Sequence, residues 1–137
     1  MTLVDAGPLV ALFDPRDKRH MRSRRVLKSV REGMSTTIPV LAEAFYMLGP
    51  ASKGAQGLRA YVERGGLAVW LSSRADLTRM FELMEAYADR PMDLADASLV
   101  VAAETLPSQK IFTLDRDDFE TYRIRRGHQY QPFEIIA

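Results

Sequence analysis

The chain has no cysteine and only two histidines, His20 and His128, far apart in sequence. Disulfides and thiolate zinc ligands are therefore excluded, and the histidines form no pair at metal-motif spacing. No apolar run approaches the roughly 20 residues that span a bilayer. Met1 to Leu12 is apolar but has no basic flank and carries Asp5, unlike a secretory signal, so cytoplasmic residence without membrane contact is the expectation. The chain also lacks the phosphate loop G-x-x-x-x-G-K-[ST], the dinucleotide motif G-x-G-x-x-G, the nucleophile elbow G-x-S-x-G and the zinc motif H-E-x-x-H. A phosphotransferase using Asp5 as nucleophile would usually carry a second acid two residues on, where Gly7 stands. Lysine and arginine, 19 in all, nearly balance 18 aspartates and glutamates for a net +1, so overall charge names no partner. Carboxylates, hydroxyls and basic groups are left to do the chemistry.

At 137 residues, 47% of them hydrophobic, the chain fits one domain over residues 1–137, built on one core. Thr2 to Asp5 favours a strand, and Ala6-Gly7-Pro8 ends it before a helical turn from Leu9 to Phe13 with proline at its first position. A helix over 19–32 carries Met21, Val26, Leu27 and Val30 as a narrow apolar stripe and ends at Gly33. Met34 to Thr37 predicts a strand, and Pro39 opens a helix that closes at Gly49-Pro50. A weaker helix follows over about Lys53 to Arg64, then a strand over Leu67 to Leu71. Ser72 or Ser73 caps a long helix with Leu77, Phe81, Met84 and Ala88 at helical spacing. Leu94 to Glu104 is apolar almost all round, which predicts a buried helix, and strands are expected at Lys110 to Thr113 and Pro132 to Ile136. This alternation predicts a three-layer α/β/α sandwich around a mainly parallel sheet, a class in which function gathers at the carboxyl ends of strands.

Several acids are placed for that edge. Asp5 ends the first strand, where it can serve as a ligand or as a plain helix N-cap; position alone does not separate the two. Glu43 lies among apolar neighbours in the Pro39 helix, although a lone helical glutamate is more often simply solvated. Asp93 and Asp96 share one face at the head of the buried helix. Asp93 has the place of an N-cap, and Asp96 the third position, where acids favour the helix dipole and resemble a capping box. A charge heading so apolar a helix is costly unless it is paired or bound to metal, which favours a functional Asp96. Asp115 follows the Lys110 to Leu114 strand, with Asp117 and Asp118 behind it as turn or capping residues. Three or four carboxylates meeting without histidine or cysteine make an oxygen-rich site suited to Mg²⁺, with Mn²⁺ as the alternative, and to phosphodiester cleavage by activated water.

Taken in order, Leu3-Val4-Asp5-Ala6-Gly7-Pro8-Leu9-Val10-Ala11-Leu12, Thr37 to Glu43, Asp93-Leu94-Ala95-Asp96-Ala97-Ser98-Leu99-Val100 and Phe112-Thr113-Leu114-Asp115-Arg116-Asp117-Asp118-Phe119 resemble a PIN domain, and within that family the VapC-like toxin ribonucleases. The resemblance implies a parallel sheet flanked by helices, Mg²⁺-dependent endoribonuclease activity, frequent homodimers and a cognate antitoxin that blocks the site. It makes Asp5, Glu43 and Asp96 the core acids and Asp115 a more variable fourth, all four both catalytic and metal-holding, with Asp93 accessory. Many relatives carry a hydroxyl residue just after the first aspartate; this chain has Ala6 and Gly7 there.

Between Arg16 and Arg31, eight basic residues (Arg16, Lys18, Arg19, Arg22, Arg24, Arg25, Lys28 and Arg31) face one acid, Asp17. Such a cluster suits RNA phosphates, and also suits a merely solvated helix face. Arg123, Arg125 and Arg126 form a second basic stretch. A PIN-type fold that binds RNA or a partner chain without cutting is the other functional class, though a pure binder has no need to gather mutually repelling carboxylates.

Overall fold

The computed structural model describes residues 1–137. Strands β1 (Thr2–Val4), β2 (Met34–Thr37), β3 (Ala68–Trp70), β4 (Lys110–Phe112) and β7 (Glu134–Ile136) form one sheet in the order β3-β2-β1-β4-β7, with every neighbouring pair parallel. Leu3 and Val4 pair with Ile111 and Phe112, all four shut off from solvent, so the core is densest beneath the middle of the sheet. Because the strands run one way, Asp5 and Thr113 emerge at the same edge, and they do so from adjacent strands.

Helices flank this sheet: α1 (Ala6–Phe13), α2 (His20–Ser29), α3 (Ile38–Leu48), α4 (Lys53–Glu63), α5 (Arg74–Ala86), α6 (Leu94–Thr105) and the short α7 (Arg116–Thr121). Their starts are written in the sequence as side-chain caps. Thr37 accepts from the Val40 amide, Ser52 from Ala55, Asp93 from Asp96, and Ser73 with Asp76 closes a reciprocal capping box. Asp5 accepts from the Ala6 amide, and α1 accordingly begins at Ala6, a few residues before the predicted turn. Helix α6 buries eight of its twelve residues, as its all-round apolarity requires.

Three expectations are corrected. Met21 does not join the buried stripe of α2; it is 59% exposed, and Ser23 takes the inward place. On α5, Leu77 and Phe81 face outward, while Met80 and Leu83 are buried one position away from the predicted face in the helical period. Between Thr121 and Phe133 the chain forms an antiparallel hairpin, β5 (Arg123–Arg126) and β6 (Gln129–Pro132), that the sequence reading left as connecting chain. Its tight turn uses Gly127 at φ +62°, a conformation that costs glycine little.

The first turn of α4 lies hard against the end of α1. A Cβ at Gly54 would stand 2.6 Å from the Phe13 carbonyl oxygen, a backbone atom that cannot swing aside. Gly54→Ala is therefore expected to destabilise the chain by about 1–3 kcal/mol, measured as a lower urea midpoint with unchanged m-value.

Candidate active site

Asp5 is fixed from three sides. Its amide donates to the Phe112 carbonyl (2.9 Å), its Oδ1 accepts from the Ala6 amide (2.8 Å), and its Oδ2 accepts from the Thr113 hydroxyl (2.8 Å). Thr113 Oγ1 in turn accepts from the Asp115 amide at 3.0 Å, and the Thr113 amide donates to the Ile136 carbonyl at 3.3 Å. Buried Thr113 thus ties the acid after β1 to the acid after β4. Burial still pushes the Asp5 carboxyl above its usual range; the two hydrogen bonds oppose this, while Asp115 and Asp93 add to it.

Asp93 and Asp96 bring a second segment to the same place. Asp93 Oδ1 accepts from the Asp96 amide (2.8 Å), and Asp96 Oδ2 accepts from the Tyr122 hydroxyl (3.0 Å). That phenol is held by edge-on packing against Tyr87 and Phe119, with ring centroids 5.2 and 5.3 Å away. Burial, followed by repulsion from Asp93 and Asp5, pushes the Asp96 carboxyl up to about 8, against the pull of the Tyr122 hydrogen bond. Burial and the neighbouring Asp96 charge also raise the pKa of Tyr122, which keeps its phenol a neutral donor.

Glu43, exposed on α3, accepts no hydrogen bond, and its carboxyl is raised by partial burial and then by the charges of Asp93 and Asp5. Asp115 caps α7 and accepts from the Asp118 amide at 3.4 Å; burial is the largest cause of its raised pKa, followed by Asp118 and Asp117. Asp118 forms an ion pair with Arg90 at 3.0 Å. Asp117 sits exposed in the first turn of α7 and does not face the cavity.

Asp5, Glu43, Asp93, Asp96, Asp115 and Asp118 all line one cavity of about 430 Å³ together with Arg19, Met47 and Leu114. A cavity of about 550 Å³ beside Phe13 and Leu48 is larger but has Asp14 as its only acid, so size does not mark the site. The donor set, carboxylate oxygens on a partly desolvated floor, fits a hard divalent cation. As they stand, no three of these side chains converge into a group that could hold a metal ion. Much of the set is instead turned onto amides and hydroxyls, the arrangement expected where like charges have only protein donors to relieve them. The residues that could hold Mg²⁺ or Mn²⁺ are Asp5, Asp96, Glu43 and Asp115, once their oxygens turn from these partners.

Sequence reasoning missed Thr113, Tyr122 and the lining position of Arg19, and left the role of Asp118 open. Thr113 carried a usable signal, a hydroxyl closing a buried strand two residues before Asp115; nothing marked Tyr122. The second basic stretch is largely committed to the fold. Arg126 donates to the carbonyls of Ala103 and Glu104 in the last turn of α6 and of Ser108 beyond it, and Arg123 to those of Glu120, Thr121 and Tyr122, which leaves Arg125 with a free guanidinium. On and after α2, by contrast, Arg22, Arg24, Arg25, Lys28 and Arg31 are exposed and take part in no ion pair.

Comparison with known proteins places the fold in a family. A family model described as PIN domain matches residues 2–124. Ribonuclease VapC26 of Mycobacterium tuberculosis is 26% identical over 130 residues, spanning 93% of this chain and 96% of that protein. Among solved structures, M. tuberculosis VapC20, described as a sarcin-ricin loop cleaving toxin, aligns with a TM-score of 0.78 at 19% identity over 85% of this chain and 92% of that one. A chain of a toxin-antitoxin complex from Klebsiella pneumoniae aligns with a TM-score of 0.66, also at 19% identity, over 88% and 92%. At such identity the structural likeness is one of fold.

The raised Asp96 carboxyl has a stability cost with a definite sign. A group whose pKa rises from 3.8 to about 8 on folding contributes stability below pH 4 and loses it as pH climbs towards 8. In chelator at pH 8, Asp96→Asn, which keeps an acceptor for Tyr122, is expected to be more stable than the parent by on the order of 1–3 kcal/mol. Its melting temperature should also fall less steeply between pH 4 and 8; identical pH profiles would contradict this account.

Proposed function

Since the chain belongs to the PIN-domain family, we propose that it is a metal-dependent endoribonuclease, the toxin of a toxin-antitoxin pair, acting in the cytoplasm as one domain. The observation that carries this reading is the meeting of Asp5, Glu43, Asp96 and Asp115, drawn from four separate segments, around one cavity. The similar proteins, a ribonuclease, a toxin that cleaves the sarcin-ricin loop and a toxin-antitoxin complex, support the substrate class and the cognate antitoxin.

When bound, Mg²⁺ or Mn²⁺ supplies positive charge to the phosphate and to the attacking water. The chain's own groups do the positioning. Thr113 and the Ala6 amide hold the Asp5 carboxylate in one orientation, and Tyr122 does the same for Asp96. Glu43, whose oxygens accept nothing from the protein, completes the shell directly or through water and is suited to take the proton that the attacking water releases. Asp115, tied to Asp5 through Thr113, borders the other side. Water oxygen forms a new bond to phosphorus as the bond to one ribose oxygen breaks, and that oxygen takes a proton from solvent, leaving a phosphate on one fragment and a hydroxyl on the other.

Helix α2 starts at this cavity and leads away from it with unpaired cations, which supports its use as a track for the RNA backbone. Exposed apolar side chains, among them Tyr46 (82% exposed) on α3 and Phe81 (54%) on α5, support contact with a second copy or an antitoxin.

Purified protein is expected to cut a mixed RNA pool with Mg²⁺ or Mn²⁺ and not in chelator, and Asp5→Asn to lose at least 100-fold in rate while melting cooperatively. RNA bound but uncut under every condition would instead favour a binding module. Charge reversal at Arg22 and Arg25 should weaken RNA binding several-fold at low salt, with the difference closing as salt rises; unchanged affinity would remove α2 from the RNA path.

A further inference from the structure

Arg19 is the one cation among the residues lining the acid cavity, and the roles assigned above leave it unused. The chain holds it firmly. Its amide donates to Asp17 Oδ1 at 2.8 Å and its Nε to the same oxygen at 3.4 Å, so backbone and guanidinium are fixed by one carboxylate. Neighbouring turns fasten that segment: the Asp17 amide donates to the Asp14 carbonyl, the His20 amide to the Asp17 carbonyl, and the amide of buried Ser23 to the Arg19 carbonyl. His20 Nδ1 is also 2.7 Å from the Ala11 carbonyl oxygen.

No cavity carboxylate lies in ion-pair range of Arg19; its sole ion pair is with Asp17. Both terminal nitrogens are without a protein acceptor, and the side chain keeps 37% of its exposure. A cation that merely neutralised the acids would contact them. A guanidinium pinned at Nε with its Nη pair open at the rim is instead shaped for two parallel hydrogen bonds to an incoming oxyanion.

We infer that Arg19 binds the non-bridging oxygens of the phosphodiester undergoing cleavage, and that Asp17 is the positioning residue that aims it. The inference rests on the ribonuclease reading for its substrate. The two Nη groups meet the oxygens on which negative charge gathers as water adds to phosphorus, and they arrive already oriented, so stabilisation needs no rearrangement during the step. A phosphate nearing six acids also gains an attractive contact at the rim before it reaches the floor.

The test uses the full chain and its Arg19→Ala, Arg19→Lys and Asp17→Asn variants. Turnover of RNA with Mg²⁺ should fall roughly 100-fold in kcat for Arg19→Ala, with melting temperature and Mn²⁺ affinity unchanged. Arg19→Lys should recover only part, because an ammonium keeps charge without the fork, and Asp17→Asn should show a smaller loss. Affinity for single-stranded RNA with Ca²⁺ in place of Mg²⁺ supplies a readout independent of turnover. There Arg19→Ala should bind several-fold more weakly, and the slope of log affinity against log salt should drop by about one. An active parent with unaltered kcat, KM and RNA affinity in Arg19→Ala would overturn the assignment. So would a loss matched by lower Mn²⁺ affinity or melting temperature, which would make Arg19 a support for the acids. A parent that cuts nothing, alongside Arg19→Ala that has lost RNA affinity, would overturn the nuclease reading and leave the phosphate contact standing.

Discussion

Like charges repel most strongly where water is scarce, and this chain directs six carboxylates at one cavity. The rest of the architecture answers that repulsion. Asp5 is held by an amide and a threonine hydroxyl, Asp96 by a phenol, Asp93 and Asp115 by amides at helix starts, and Asp118 by Arg90. No acid shares a short segment with all the others, so the charge is assembled by tertiary structure, and the free energy that assembles it comes from the core around Leu3, Ile111 and Leu99, where exposure is nil.

Helix starts carry much of this load. Asp5, Asp93 and Asp115 are the N-caps of α1, α6 and α7, and each therefore faces the positive end of a helix as well as the cavity. In the sequence, the cap and the ligand stand as competing readings of Asp5 and Asp93. In the fold one carboxylate has two oxygens, and at Asp5 both are occupied, one by the amide of its own helix and one by Thr113 from the neighbouring strand. The cap fixes where an acid stands, which is also what a ligand needs.

The buried helix was legible, since α6 lies where an all-round apolar segment must, and so was the short β-favouring run Met34–Thr37, which forms β2 as read. The hairpin was not, because the alternation of Tyr122 and Ile124 with Thr121, Arg123 and Arg125 is only two apolar residues long, too short to announce a strand. Helix α5 misled in the other direction: Leu77 and Phe81 have the right spacing but stay in solvent, since periodicity locates a face without saying which neighbour will cover it. The acids could be picked out one by one from strand ends and helix heads. Tyr122 could not, because an isolated tyrosine near the end of an acidic turn gives no hint that its hydroxyl reaches a helix on the far side of the cavity.

The order in which the ribosome delivers these parts also matters. Every acid of the cavity is translated before Tyr122, which steadies Asp96, and before Ile136, whose carbonyl holds the amide of Thr113 and through it the grip on Asp5. A growing chain therefore holds all six acids before it holds the groups that orient two of them. Until β7 pairs with β4, the Thr113 amide lacks its Ile136 acceptor, so the grip on Asp5 is completed only when that edge strand joins the sheet.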